Sequence, residues 1–232
     1  MNTEKKSLPN KLNKNSSVER ILILTGGSVD MDWAKKWLVN KEFDFVIAAD
    51  KGLEYADALN LEIGYILGDY DSVESSLIDH YRKSNTEVKT YPCEKDYTDT
   101  NLAVLRAIAM NPQEIVILGG SGTRLDHTMA NIFNLKLAME KGIRCYLINE
   151  RNRIQLIDHE LTISKKQQYG KYVSLLPMTT QVTGITLTGF YYPLHNYTME
   201  QGVSVGISNE IENEDATITV KNGILIVFES KD

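Results

Sequence analysis

Cysteine is scarce in this sequence, and the scarcity excludes two kinds of framework. The two cysteines, Cys93 and Cys145, cannot build a disulfide scaffold, and neither stands in a Cys-x-x-Cys pair of the kind that holds structural zinc. No window of about 18 apolar residues exists, so no helical membrane span is expected. Lysines near the amino terminus are followed by polar residues where a secretory signal needs an apolar run. The Asn-x-Ser/Thr triplets at Asn15 and Asn196 therefore read as chance, and the expected compartment is the reducing cytoplasm. A basic excess is missing too: the net charge of −6 argues against broad binding to a nucleic-acid backbone. Walker-type Gly-Lys-Ser/Thr, a complete Gly-x-Gly-x-x-Gly and internal repeats are also lacking.

What is present is the balance of a globular protein, with 42% apolar and 24% charged residues in 232, enough for one large domain or two modest ones. The charge is uneven. Residues 1–20 hold five Lys/Arg against two Asp/Glu and almost nothing apolar before Val18, which predicts a disordered leader.

From residue 21 to about 150, short apolar runs alternate with amphipathic stretches. Strands are predicted at Ile21–Thr25, Phe45–Ala49, Tyr65–Leu67, Glu87–Thr90, Ile115–Leu118 and Arg144–Ile148. Helices are predicted at about 31–39, 53–60, 75–83, 99–110 and 127–141, with Asn111-Pro112 and Gly142 stopping the last two. Ile21-Leu22-Ile23-Leu24 has no polar face, as a strand covered on both sides requires. The alternation predicts an α/β domain with a doubly wound, mostly parallel sheet over 21–150. From 151 to 232 the periodicity becomes two, as at Val173/Leu175 and Ile185/Leu187, predicting an all-β sandwich domain. Within it, Asn222-Gly223 between two β-rich runs predicts a tight hairpin.

Chemistry-bearing residues gather after the α/β strands, where open parallel sheets place ligands. Asp50-Lys51-Gly52 follows the second strand; Asp50 suits a ribose or base contact, or a helix cap. Gly68-Asp69-Tyr70-Asp71-Ser72 follows the third, with two carboxylates able to converge on a hard cation, although alone it reads as a solvated acidic turn. Glu94 to Asn101 brings Asp96, Thr98 and Asp99 to a helix start, where either of the last two also suits a plain cap. Gly119 to His127 supplies glycines that let backbone approach a phosphate, then Arg124 to grip its oxygens. Asp126 and His127 are equally ordinary first-turn helix residues, Asp126 as an N-cap. Together, acids for a metal and Gly with Arg for phosphate describe a nucleotide-phosphate transfer site.

In this order the segments resemble the thiamine pyrophosphokinase family, marked by Asp-Gly-Gly or Asp-Lys-Gly, Gly-Asp-x-Asp-Ser, Asp-x-Thr-Asp and Gly-Gly-x-Gly-x-Arg-x-Asp-His. The likeness continues at Gly206-Ile207-Ser208-Asn209-Glu210 and covers about 21–232. It implies diphosphate transfer from ATP to the hydroxyl of thiamine, releasing AMP. It also implies a homodimer, with thiamine between one subunit's α/β domain and its partner's sandwich. By matching position, Asp69, Asp71 and Asp99 would hold Mg2+, while Asp96, Thr98, Ser121 and Arg124 would meet ATP phosphates or the thiamine alcohol. Asp126 would face thiamine, and Ser208 with Asn209 its pyrimidine ring. Asp96 or Asp126 would orient or deprotonate the hydroxyl, a choice the sequence leaves open. Two alternatives stand beside this: a haloacid-dehalogenase-like phosphohydrolase, whose Asp-x-Asp lies on its first strand and not its third, and a non-catalytic nucleotide- or thiamine-binding module.

Overall fold

The computed structural model describes residues 18–71, 73–84, 86–91 and 96–232. Residues 1–17 of the expected leader, with Ser72, Cys93, Glu94 and Lys95, lie outside the described residues. By its contacts the chain divides into two compact units, the first ending at Glu150 and the second running Arg151–Asp232.

The first unit runs β1 (Arg20–Leu24), α1 (Met31–Leu38), β2 (Phe45–Ala49), α2 (Gly52–Ala58), β3 (Tyr65–Gly68), α3 (Ser75–Arg82), β4 (Glu87–Thr90), α4 (Asp99–Ile108), β5 (Glu114–Leu118), α5 (Leu125–Met139) and β6 (Arg144–Ile148). Its strands lie in the order β6-β5-β1-β2-β3-β4, and every pair is parallel. The apolar runs are the reason. Ile21, Leu22, Ile23 and Leu24 are wholly buried, as are Ile115, Ile117 and Leu118 beside them, so both faces of the sheet are covered. β4 is the polar edge, where Glu87 and Lys89 face outward and discourage further pairing. Strand order reverses between β1 and β5, because successive strands run one way from β1 through β4 and the other way from β5 to β6.

Folding reaches two residues into the stretch read as leader. The N–H groups of Glu19 and Arg20 both donate to Asp44 Oδ2, at 2.9 and 2.8 Å, and β1 begins at Arg20. The Arg20 guanidinium donates through Nη2 and Nε to Glu114 Oε1 at 2.7 and 2.9 Å, tying β1 to β5. The helices stop where expected: Asn111 and Gly142, with φ of 52° and 71°, take the left-handed conformation that ends a helix.

The second unit runs β7 (Asn152–Ile157), β8 (Glu160–Ser164), β9 (Tyr172–Pro177), β10 (Gln181–Thr188), β11 (Leu194–Glu200), β12 (Asn209–Glu210), β13 (Asp215–Thr219) and β14 (Leu225–Ser230). Its strands pair antiparallel in two sets, β12-β9-β14-β7 and β11-β10-β13-β8. Val173, Leu175, Leu225 and Val227 from the first set share one core with Ile163, Val182, Ile185, Leu187 and Ile218 from the second. Deep in the unit, Arg153 grips Glu229 with two bonds of 2.7 Å, and the Tyr169 N–H adds a third at 2.9 Å. Glu229 is fully buried, so these bonds stand in for its lost water.

The expected Asn222-Gly223 hairpin does not form. β13 pairs with β8 and β10, whereas β14 pairs with β7 and β9, so the turn carries the chain from one sheet to the other. Its backbone is used differently from a hairpin's. Lys221 and Asn222 donate to the Thr183 carbonyl at 3.0 and 3.3 Å, and Thr183 returns a bond to Asn222 at 2.9 Å. Of the two turn residues, Gly223 alone has positive φ, 95°, whereas the tight two-residue turn favoured by Asn-Gly needs it at both.

Candidate active site

The carboxyl ends of β1 and β5 face each other across the reversal of strand order, and a cleft of about 480 Å³ opens there. One wall is Thr25-Gly26-Gly27-Ser28 after β1, the other Gly119 to Arg124 after β5, with Asp50 and Lys51 from β2 and Asp99 and Thr100 from α4 alongside.

The two loops are stitched together. Gly27 N–H donates to the Gly119 carbonyl at 2.8 Å and Ser28 N–H to the Ser121 carbonyl at 2.7 Å. A Cβ on Gly27 would stand 2.2 Å and 2.4 Å from those carbonyl oxygens, so the close approach requires glycine. The first turns of α5 fix the far wall: Thr128 Oγ1 accepts from Gly122 N–H at 3.3 Å, and the buried Asn131 donates to the Gly120 carbonyl at 2.8 Å. Asn149, after β6, donates to the Ser121 hydroxyl at 2.8 Å. The amides of Gly27, Ser28 and Gly122 are thus engaged in building the loops and are not the groups a phosphate would meet.

Thr98 caps α4, accepting from Asn101 N–H at 3.2 Å, so the capping role is observed. Next to it, Thr100 shares a buried hydroxyl bond of 2.6 Å with Thr25, fastening the start of α4 to the end of β1 and setting Asp99 into the cleft. Asp50 sits in the left-handed region at φ 49°, held by its N–H to the Leu67 carbonyl at 3.0 Å. It does not cap α2, whose N-cap is Lys51. A Cβ on Gly68 would lie 2.2 Å from Asp50 Oδ1, so the glycine that ends β3 makes room for that carboxylate.

Asp69 and Asp71 flank Tyr70, which also has positive φ, 62°. The Asp71 N–H donates to Asp69 Oδ1 at 3.2 Å, a local turn bond. Burial raises the Tyr70 hydroxyl's pKa well above its ordinary value; Arg82 opposes this, while the charges of Asp50 and Asp99 push the same way, so the acids after β2 and at the start of α4 both act on this residue after β3. Among the described residues, however, no three His, Cys, Asp or Glu side chains come close enough to hold a metal ion by themselves. The expected set Asp69, Asp71 and Asp99 is therefore not a closed cage. An all-carboxylate set beside a phosphate-sized cleft nonetheless fits magnesium, which takes one or two carboxylates and completes its shell with phosphate oxygens and water.

Arg124, and not Asp126, is the N-cap residue of α5, and it makes no side-chain cap bond. Its guanidinium binds Asp126 through Nε at 3.3 Å and Nη2 at 2.6 Å. That grip, aided by the His127 N–H, lowers the Asp126 carboxyl to about 2 and raises Arg124 above its ordinary value.

Of the residues singled out from sequence, Asp50, Asp99, Ser121, Arg124 and His127 line the cleft. Asp69, Asp71, Asp96, Thr98 and Asp126 do not. Ser208 and Asn209 belong to the second unit. Ser208 is exposed with φ 57°, its N–H bonded to Ser174 Oγ at 2.9 Å. Asn209 is buried, and its amide donates to the Tyr192 carbonyl and accepts from the Tyr192 and Glu210 N–H groups at 2.8 to 3.0 Å. It holds Tyr192 in place and has little left to offer a ring. Sequence reading missed the Thr25–Ser28 wall, Thr100, Thr128 and Asn131. The first was available: a Gly-Gly pair at the end of the most apolar strand carries the same signal as the later glycine loop.

Comparison with known proteins matches both units. The family model described as thiamin pyrophosphokinase, catalytic domain, matches residues 37–147, and that for the thiamin pyrophosphokinase vitamin B1 binding domain matches residues 158–225. Thiamine pyrophosphokinase from Bacillus subtilis is 32% identical over 185 residues, covering 78% of this chain and 86% of its own. A crystal structure of the Bacillus subtilis thiamine pyrophosphokinase superposes with a TM-score of 0.82 at 30% identity, covering 92% of this chain and all of that one. One of thiamin pyrophosphokinase from Geobacillus thermodenitrificans gives 0.80 at 25% identity, covering 92% and 98%. Neither the phosphohydrolase nor the binding-only alternative is favoured by any of these. With a parallel α/β unit, an antiparallel β sandwich and both family models in register, this chain belongs to the thiamine pyrophosphokinase family.

Proposed function

We infer that the protein transfers diphosphate from ATP to the hydroxyl of thiamine, yielding thiamine diphosphate and AMP. The observation that carries the reading is the cleft at the strand-order reversal, where two interlocked glycine loops meet Asp50, Lys51, Asp99 and Arg124. In the transfer, the thiamine oxygen bonds to the β-phosphorus of ATP, the bond from that phosphorus to the α-phosphate oxygen breaks, and AMP departs with the electron pair. The hydroxyl proton passes to a carboxylate and then to solvent.

Asp99 in the cleft, together with Asp69 and Asp71 of the turn after β3, is the set we assign to Mg2+, which when bound with the phosphates would offset their charge. Arg124 reaches the phosphate oxygens from the β5 side. Asp126, gripped by Arg124, is the carboxylate we assign to the thiamine side. Asp96 or Asp126 orients the hydroxyl or accepts its proton. Thr98 fixes the helix start beside these groups, and Ser121 frames the opposite wall.

For the pyrimidine we assign Ser208, beside an exposed pair of edge-to-face rings, Tyr191 and Tyr192, 4.8 Å apart and anchored by Asn209. We propose that a homodimer brings this surface of one subunit to the cleft of the other. We place the enzyme in the cytoplasm; among the described residues no helix is long and apolar enough to cross a membrane, and Cys145 is a buried free thiol.

The test is incubation of the purified chain with ATP, magnesium and thiamine, with nucleotides and thiamine esters resolved by chromatography. Equal amounts of AMP and thiamine diphosphate are expected. ADP with thiamine monophosphate, or no product, would refute the reading.

A further inference from the structure

An ATP phosphate chain carries several negative charges into a cleft that already holds the carboxylates of Asp50 and Asp99. A bound cation from solvent offsets part of this, and the protein must supply the rest. Among the residues lining the cleft the fixed cations are Lys51 and Arg124. Arg124 turns two of its nitrogens to Asp126, so its charge is already balanced locally. Lys51 is different: among the described residues it has no carboxylate partner, and its ammonium lies 5.9 Å from the ring centre of Tyr55, one turn along α2, also in the lining.

Its placement is set by backbone. Lys51 follows the left-handed Asp50 as the N-cap of α2, and its Cβ would stand 3.7 Å from a Cβ built on Gly26. The side chain thus starts on the β2 flank of the Gly26–Ser28 wall, whereas Arg124 stands on the β5 flank. With β1 between β5 and β2, these flanks lie two strand spacings apart, about 10 Å. A phosphate chain lying over the glycine wall would have one cation on each side.

We propose that Lys51 binds the phosphate chain of ATP from the side opposite Arg124, and so is a second cationic contact of the transfer site. This rests on the ATP reading of the cleft. A flexible ammonium acts there as a point charge with three donors, with the Tyr55 ring 5.9 Å away.

The experiment is direct binding of Mg·ATP, without thiamine, to the parent chain and to Lys51→Met and Lys51→Arg, followed by steady-state kinetics. Loss of one charge-assisted contact should weaken ATP binding by about tenfold or more in Lys51→Met, with Lys51→Arg recovering most of it. The KM for ATP should rise in parallel while that for thiamine stays within about twofold, with an unchanged melting temperature. The dependence of ATP affinity on salt should also flatten in Lys51→Met. ATP affinity unchanged in Lys51→Met would overturn the proposal. So would equal losses for both substrates with a lowered melting temperature, which mark a structural role. Failure of the functional reading looks different: a parent chain that binds ATP but releases no AMP loses the reaction assignment, yet still tests Lys51 by binding.

Discussion

The two units solve opposite problems with their charged residues. The first keeps the interiors of its central strands β1, β2 and β5 free of polar side chains and gathers acids, glycines and cations in the loops after them, at the edge of a cleft. The second draws its charge inward, sealing the fully buried Glu229 with Arg153 and the Tyr169 N–H. In the parallel unit the central strands are packed by apolar residues, and the Arg20–Glu114 ion pair sits at the amino ends of β1 and β5, so the loops after the carboxyl ends are free to serve a ligand. In the antiparallel unit a buried carboxylate is a structural commitment, because leaving it unpaired would cost several kcal/mol. Charge just past the carboxyl end of a strand in the first unit is therefore a sign of function, whereas the buried charge of the second is a sign of architecture.

The sharpest way to break that contrast is to remove a charge from each side. Asp99→Asn keeps the shape of the α4 start, where Thr98 and Thr100 make the holding bonds, yet removes charge from the cleft. Turnover should fall by about 10³-fold or more with the melting temperature unchanged. A variant that lost stability in proportion to rate would place Asp99 among the structural acids. The reverse is expected of Arg153→Met, which leaves Glu229 buried without its cation. Chemical denaturation should show a loss of about 3–5 kcal/mol. Activity per folded molecule should hardly move.

A smaller pair of substitutions sharpens the same division within the second unit. Asn209→Ala removes three bonds that position Tyr192 and the start of β12, for an expected cost of about 1–3 kcal/mol. Ser208→Ala removes an exposed hydroxyl and should leave stability alone while raising the KM for thiamine by about two- to tenfold. If both variants behaved alike, the distinction between the residue that builds the surface and the residue that uses it would be wrong.

How far the sequence reveals these roles follows from the same contrast. The parallel unit is nearly transparent, because burial on both faces writes runs such as Ile21-Leu22-Ile23-Leu24, and ligand loops follow them in fixed places. Even so, Thr25–Ser28 escapes notice, since its role comes from pairing with a loop some 92 residues later in the chain: the 2.8 Å bond of Gly27 to Gly119 is visible only in space, and sequence offers no register for it. The sandwich is transparent in class and opaque in pairing. Asn222-Gly223 is a strong local turn signal, but local signals cannot say whether a chain turns back on its own sheet or crosses to the next. Core packing decides that, sending Ile218 and Val227 to opposite sides of one hydrophobic layer. The bond between Arg124 and Asp126 was equally hidden, since each residue alone suits a ligand.

That bond gives the finest test, because it sits in the first unit yet binds charge to charge as the second does. Both residues are well exposed, so its effect on stability should be small in either direction. Its signature is titration. The folded Asp126 carboxyl is lowered from 3.8 to about 2, chiefly by the Arg124 side chain. A lowered acid contributes stability that is fully present above its unfolded value and is lost as pH falls through the folded one, here between about 4 and 2. Near neutral pH the pair stays charged and gives activity no pH dependence of its own. Carbon-detected magnetic resonance should find the Asp126 midpoint near 2, and Arg124→Ala should return it towards the ordinary carboxylate range. Adding ATP to the parent protein offers Arg124 phosphate oxygens in place of Asp126, so the midpoint should rise then as well. A midpoint that responds to Arg124→Ala but ignores ATP would mean that Arg124 belongs with Arg153, as a residue that serves its own fold.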